Sequence, residues 1–325
     1  MRKNVLQLVT FLLVFFLIYL PVYASGEEIP TEETTEEAEE ESSDNTTGPV
    51  QGEGNTFSFG GRLIPLNAER LDLSGINLRN SNVDKLFDNM PNLKTVKLID
   101  CGLSNDGYAA LQDKFPRIRM IWDIQFSRRK LRTDSVGYSS FRGGALDQWM
   151  TDEDAKYLKY CRDMVAVDLG HNPVHNLDFL QYMPNLKILI MVDNHGLKDL
   201  TNLRYVPQLT YFELFVNSVS DLSVFQNLHQ MEDLNISYNP ISSTEYLKDF
   251  PKLHRMWMES TRVPYDDFLE LCEIYPDATM VYYGSGSVDK GWRVGSHYNA
   301  MRAIVKDNEE NEVYHKDYIR YHEDR

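Results

Sequence analysis

Apolar residues recur on a fixed period between residues 164 and 261. Six-residue blocks at 164–169, 186–191, 209–214, 231–236 and 253–258 each carry alternating apolar side chains. Each block is followed three residues later by Asn172, Asn194, Asn217, Asn239 or Thr261. The block starts, 164, 186, 209, 231 and 253, are separated by 22, 23, 22 and 22 residues. Looser copies at 68–73, 93–98 and 118–123 are 25 apart, and another at 278–283 begins 25 after Leu253. Pro91, Pro116, Pro184, Pro207, Pro251 and Pro276 stand before many of these blocks.

Alternation within a block, as at Leu189/Met191 or Phe212/Leu214, predicts a strand with one side chain inward and the next outward. One such unit cannot cover its own apolar face, but stacked copies share a continuous core. The linking limbs differ by unit length. Val219, Leu222, Phe225 and Leu228 recur every three residues, which predicts an extended or 3₁₀ limb. The 25-residue units have room for α-helix at 106–111 and 265–271.

Asn172, Asn194, Asn217 and Asn239 mark where the chain turns out of each strand and leaves backbone groups without sheet partners. An inward amide supplies two donors and an acceptor there. Repetition predicts a structural asparagine ladder, with Cys101 and Thr261 in the same slot.

The pattern L-x-x-L-x-L-x-x-N-x-[IVL] resembles the leucine-rich-repeat family, and the 22-residue units resemble bacterial internalin-type repeats. That resemblance implies an α/β leucine-rich-repeat solenoid: a curved parallel β-sheet with a 3₁₀ or helical convex side. About nine strand-bearing units are expected within 62–286. The period lapses after Asp123, so 124–163 is expected to be an insertion. It contains the basic run Arg128-Arg129-Lys130-Leu131-Arg132, which either grips an acidic partner or pairs with the protein's own acids. Thr151 followed by three acids predicts a helix start that restores the array. Residues 287–325 are expected to form a cap and tail, with Trp292, Tyr298, Met301 and Ile304 closing the last repeat.

The N-terminus adds a compartment. Arg2 and Lys3 precede a nearly unbroken apolar stretch from Val5 to Leu20, then Pro21 and Val22-Tyr23-Ala24. This layout predicts a signal peptide over 1–24, with an uncleaved membrane anchor as the alternative. Residues 25–61 hold eleven acids and no base, which predicts an extended, solvated linker. Removing those acids and the two signal bases from the net charge of −16 leaves −16 + 11 − 2 = −7. No basic footprint for nucleic acid remains. Three cysteines do not make a disulfide framework.

If the strands stack in register, outward side chains form rows on the concave sheet. The predicted binding residues are Ile188, Ile190, Val192, Tyr211, Glu213, Phe215, Asp233, Arg255, Trp257 and Tyr282. An exposed apolar and aromatic area rimmed by charge marks an interaction site. The alternative is that the insertion or the C-terminal segment folds over it. The expected partner is a protein, with a glycan or cell-wall polymer as the second reading. No cofactor, catalytic residue or metal site is predicted. His171, Asp193 and Asp168 offer only two plausible ligands where three or four are needed, and no motif accompanies the carboxylates Glu213 and Asp233.

Overall fold

The structure, a computed structural model, describes residues 55–126, 129–140, 150–284, 286–294 and 298–299. The expected signal peptide, most of the acidic stretch, Met301 and Ile304 lie outside them. The chain opens with an antiparallel hairpin, β1 (Thr56–Phe59) and β2 (Arg62–Pro65). This hairpin begins inside the stretch 25–61 that composition assigns to the linker. The acids end at Glu53, and the alternating Phe57, Phe59 and Ile64 are buried against the repeat core.

Ten short parallel strands follow, in sheets of three and seven. The first sheet is β3 (Arg70–Asp72), β4 (Thr95–Lys97) and β5 (Arg119–Ile121). A hairpin of β6 (Asp123–Phe126) and β7 (Arg129–Arg132) then reverses the chain. The long sheet comprises β8 (Gly137–Ser139), β9 (Ala166–Asp168), β10 (Ile188–Ile190), β11 (Tyr211–Glu213), β12 (Asp233–Asn235), β13 (Arg255–Trp257) and β14 (Thr279–Val281). The tenth strand is β8, which pairs with β9 from within the stretch where the period lapses. The period misses β8 because it has a single inward side chain, Tyr138, and a long connection before β9.

Inward positions such as Val167, Leu189, Phe212, Leu234 and Met256 form one continuous core with the convex limbs. Each buried side chain of this size contributes about 1.5–3 kcal/mol. The limbs follow unit length. The short units carry 3₁₀ turns at Asp178–Tyr182, Thr201–Tyr205, Ser223–Asn227 and Glu245–Leu247. The longer units carry α-helices α1 (Val83–Asp88), α2 (Asn105–Lys114) and, after a short α3 (Asp152–Ala155), α4 (Tyr265–Ile274). Thr151 precedes α3, its main-chain N–H and hydroxyl both donating to Asp154.

Every regular unit leaves its strand in the same strained way. Asp100, His171, Asp193, Val216, Tyr238 and Ser260 all have φ between 52° and 62°. A non-glycine residue in this region costs of order 1–3 kcal/mol, and a β-branched one such as Val216 is exceptional. The next residue offsets the cost. Asn239 Nδ2 donates to the carbonyls of Leu214 at 2.9 Å and Ile236 at 3.1 Å, and its Oδ1 accepts from the Val219 N–H at 3.1 Å. Asn217 bonds Met191 O, Leu214 O and the Asn194 N–H in the same manner. Asn172 Nδ2 donates to Leu169 O and Gly170 O. Cys101 Sγ reaches the carbonyls of Leu73 and Ile99, and Thr261 Oγ1 that of Met258.

Asn239→Ala should therefore lower stability by about 1–3 kcal/mol by stranding buried backbone groups. A urea titration whose midpoint does not move would contradict that role for the amide.

Candidate functional site

Parallel pairing in register builds the concave face. Ala166, Ile188, Tyr211, Asp233, Arg255 and Thr279 form one row, and Asp168, Ile190, Glu213, Asn235, Trp257 and Val281 the next. Tyr282 does not belong to these rows. The step from β13 to β14 is one residue shorter than the spacing of the blocks suggests, so Thr279 and Val281 face outward. A one-residue slip turns a side chain to the opposite face. Tyr282 instead packs toward the main core beside Phe268, its hydroxyl donating to Val263 O at 2.6 Å.

The rows are not open to solvent. Ile188, Ile190, Val192, Tyr211, Glu213, Phe215, Asp233 and Trp257 are all at least 95 % buried, and Arg255 is partly buried. This overturns the expectation of an exposed apolar patch. The apolar ones among them form a second cluster, separate from the main core, that includes Trp292 and has Tyr298 and Val136 packed against it. The cover is a strap, residues 286–294, laid over the concave face of the long sheet. Trp292 was expected to close the end of the array, but it lies at the centre of this face.

A tight turn aims the strap. Lys290 and Gly291 have φ of 49° and 86°, and the Trp292 N–H donates to Asp289 O at 3.2 Å. Two successive positive φ values closed by that bond are the signature of a type I′ turn, in which Gly at the second position carries no Cβ penalty. The turn drops Trp292 between Trp257, at 5.0 Å between ring centroids, and Tyr211, at 5.6 Å. The Arg255 guanidinium lies 4.5 Å from its ring centroid.

Polar bonds fix the strap along its length. Asn235 Nδ2 donates to Ser287 O at 2.7 Å, Trp257 Nε1 to Asp289 O at 3.1 Å, and Arg255 Nη1 to Trp292 O at 2.9 Å. The buried acids are held by arginines. Arg255 forks onto both oxygens of Asp233 at 3.0 and 2.8 Å. Arg293 Nη2 donates to Glu213 Oε2 at 2.7 Å, and the Tyr211 hydroxyl donates to Glu213 Oε1. Burial works against the Arg293 charge, but Glu213 outweighs it and shifts its pKa upward. Burial and then Glu213 hold the Tyr211 hydroxyl well above its usual range.

Glu259 is different. Its carboxyl is buried beneath the strap beside Asp289, the acid it faces there. A Cβ on Gly284 would fall 1.7 Å from Glu259 Oε1 and 2.6 Å from Asp289 Oδ1, so both acids crowd the space that this glycine leaves. Burial, followed by Asp289, pushes Glu259 up to about 7.

Other chemistry-bearing groups lie elsewhere. Asp193 meets His171 Nδ1 at 3.0 Å and His195 Nε2 at 2.8 Å, whereas Asp168 is held by the Ser139 hydroxyl and the Gly170 N–H. Among the described residues no three His, Cys, Asp or Glu side chains converge as a metal would require. A recess of about 550 Å³ beside the β6–β7 hairpin is lined by Asp100, Asp123, Gln125, Lys130 and Tyr157. Of the basic run, Lys130 lies 2.8 Å from Asp100 in this recess, and Arg132 pairs with Asp134 nearby in the chain. All three cysteines are free. Sequence reasoning missed Arg293, Ser287 and Asp289 as parts of this site, and it placed Glu259 in an outward row of the concave face without assigning it a role. The one available signal was that an apolar row of this size demands a cover.

No family model matches the sequence, and no curated protein matches it. Among solved structures the chain is similar to internalin C2 from Listeria monocytogenes, at 14 % identity, TM-score 0.32, with 41 % of this chain and 70 % of that one covered. A second Listeria monocytogenes internalin is 16 % identical at TM-score 0.36, covering 60 % of this chain and 62 % of its own. A leucine-rich-repeat protein from Leptospira interrogans is 15 % identical at TM-score 0.37, covering 66 % and 54 %. The chain thus spans less than two thirds of the last two.

The acid pair makes the strap contact depend on pH. Glu259 has an ordinary value of 4.5 and reaches about 7 beneath the strap, so the closed arrangement binds its proton more tightly. Closure is then fully favoured below about 4.5 and loses favour as pH rises through about 7. Acrylamide quenching of tryptophan emission should increase between about pH 5 and pH 8 across this window and stay flat in Glu259→Gln. Identical profiles for the two chains would remove Glu259 as the titrating group.

Proposed function

We propose that this chain is an exported, non-catalytic repeat protein that binds a protein partner through the concave face of its long sheet. The observation that carries this reading is that the face already holds a polypeptide. Asn235, Trp257 and Arg255 each donate to a main-chain carbonyl of the strap, contacts that any polypeptide can make. The aromatic and aliphatic side chains around Trp292 supply the desolvated anchor pocket found at the centre of protein interfaces.

Export rests on the basic and apolar pattern of residues 2–24, and the acidic stretch behind it serves as a tether. Among the described residues no helix is long and apolar enough to cross a membrane. Glu213 and Asp233 act as anchors in this reading, because Arg293 and Tyr211 hold the oxygens of Glu213 and Arg255 holds those of Asp233.

The test compares the wild-type full chain with Arg293→Ala, which frees Glu213 and loosens the cover. Both are presented to purified envelope and host surface proteins and, separately, to a glycan array. The expected result is a purified protein that binds Arg293→Ala at least ~10-fold tighter than wild type, a gain of the size of one good anchor. Adding Glu213→Gln should remove that gain. Binding confined to glycans, with no protein retained by either chain, would overturn the reading.

A further inference from the structure

The strap also shows what kind of partner the concave face takes. We infer that residues 286–294 are an internal stand-in for a partner segment, and that the groove recognises a polypeptide carrying an aromatic residue followed directly by arginine. This inference rests on the concave face being the binding surface and adds the chemistry of what enters it.

Two kinds of contact are present, and they do different work. The sheet reads the main chain of its occupant at three carbonyls, those of Ser287, Asp289 and Trp292. These bonds fix direction and register but carry little information about side chains. Specificity lies in two adjacent subsites. One is the aromatic slot formed by Tyr211, Trp257 and the Arg255 guanidinium around the Trp292 ring. The other is the buried carboxylate of Glu213, reached by Arg293, whose guanidinium also lies 5.5 Å from the centroid of the Phe215 ring. A carboxylate set on a buried floor against an aromatic face selects a planar cation over an ammonium, because a guanidinium can bond and stack at once.

The strap fills these subsites imperfectly. Trp292 Nε1 is buried without a hydrogen-bond partner among the described residues. It is a desolvated polar group left unmade, which weakens a cover that is otherwise well packed. The strap's own Val288 and Val294 remain exposed and add no anchoring. A segment that bonds the indole-binding slot more fully would gain what the strap forfeits. The tethered strap nevertheless competes at an effective concentration on the order of millimolar, so a partner meets a masked groove.

The experiment uses full-length chains and a fluorescent peptide with the sequence of residues 286–294, read by anisotropy. Trp292→Ala/Arg293→Ala opens the groove, and Arg293→Ala alone replaces it should the double variant lose its far-ultraviolet circular dichroism. The opened chain should bind the peptide at least ~10-fold tighter than wild type, because the internal competitor is gone. Changing the peptide arginine to lysine, or Glu213→Gln in the opened chain, should each weaken binding at least ~10-fold. Equal affinity of folded wild-type and opened chains, or indifference to arginine against lysine, overturns the inference. Should the peptide fail while the opened chain still captures a protein through Glu213, only the stand-in role falls. Failure of both removes the concave face as the binding surface.

Discussion

Three-residue strands cannot hold a fold together unless the chain can leave each one without abandoning its backbone hydrogen bonds. This solenoid solves that problem at a single slot per unit. A residue is forced into left-handed backbone conformation, and the next turns an amide inward to collect the freed carbonyls and one N–H. In the asparagine-bearing units the same amide that offsets the strain also bridges two neighbouring units. Asn217 and Asn239 both bond Leu214 O, so each rung is tied to the next. Where Cys101 takes the slot, Tyr108 helps, its hydroxyl accepting the Cys101 N–H at 3.0 Å.

That constraint fixes the inward half of each strand and leaves the outward half free to vary. In β9 to β13 the free half is largely apolar or aromatic with acids interspersed, a composition that water does not tolerate as a broad surface. The chain covers it with the strap. Charge is balanced locally, since Glu213 meets Arg293 and Asp233 meets Arg255. Glu259 instead faces Asp289, and its proton is retained to about neutrality. A buried ion pair adds little net stability, but it fixes which arrangement forms. Arg293 can satisfy Glu213 only with Trp292 in its slot, so the two residues set the register of the strap together.

Much of the fold was legible because its determinants are local and repeated. The 22-residue spacing, the alternation within blocks and the asparagine slot predict strands, limbs and ladder together. β8 escaped because one strand with a single inward side chain makes no period. The face of β14 escaped because a slip of one residue is invisible to a pattern read from apolar positions, and it turned Tyr282 away from the rows. The hairpin from Thr56 lies inside the stretch that composition assigns to the linker, because Phe57 and Phe59 bury against the repeat core.

The candidate site divides along the same line. By itself the sequence determined which side chains of β9 to β13 point inward and which line the concave rows, because strand periodicity decides that wherever the spacing holds. Only the tertiary structure decided that the rows are covered and that Trp292 and Arg293 are part of the cover. Glu213 and Arg293 are 80 residues apart, and nothing in the local pattern of either announces the other. Burial of an outward side chain is set by whichever distant segment returns to it, and that return is a property of the folded chain.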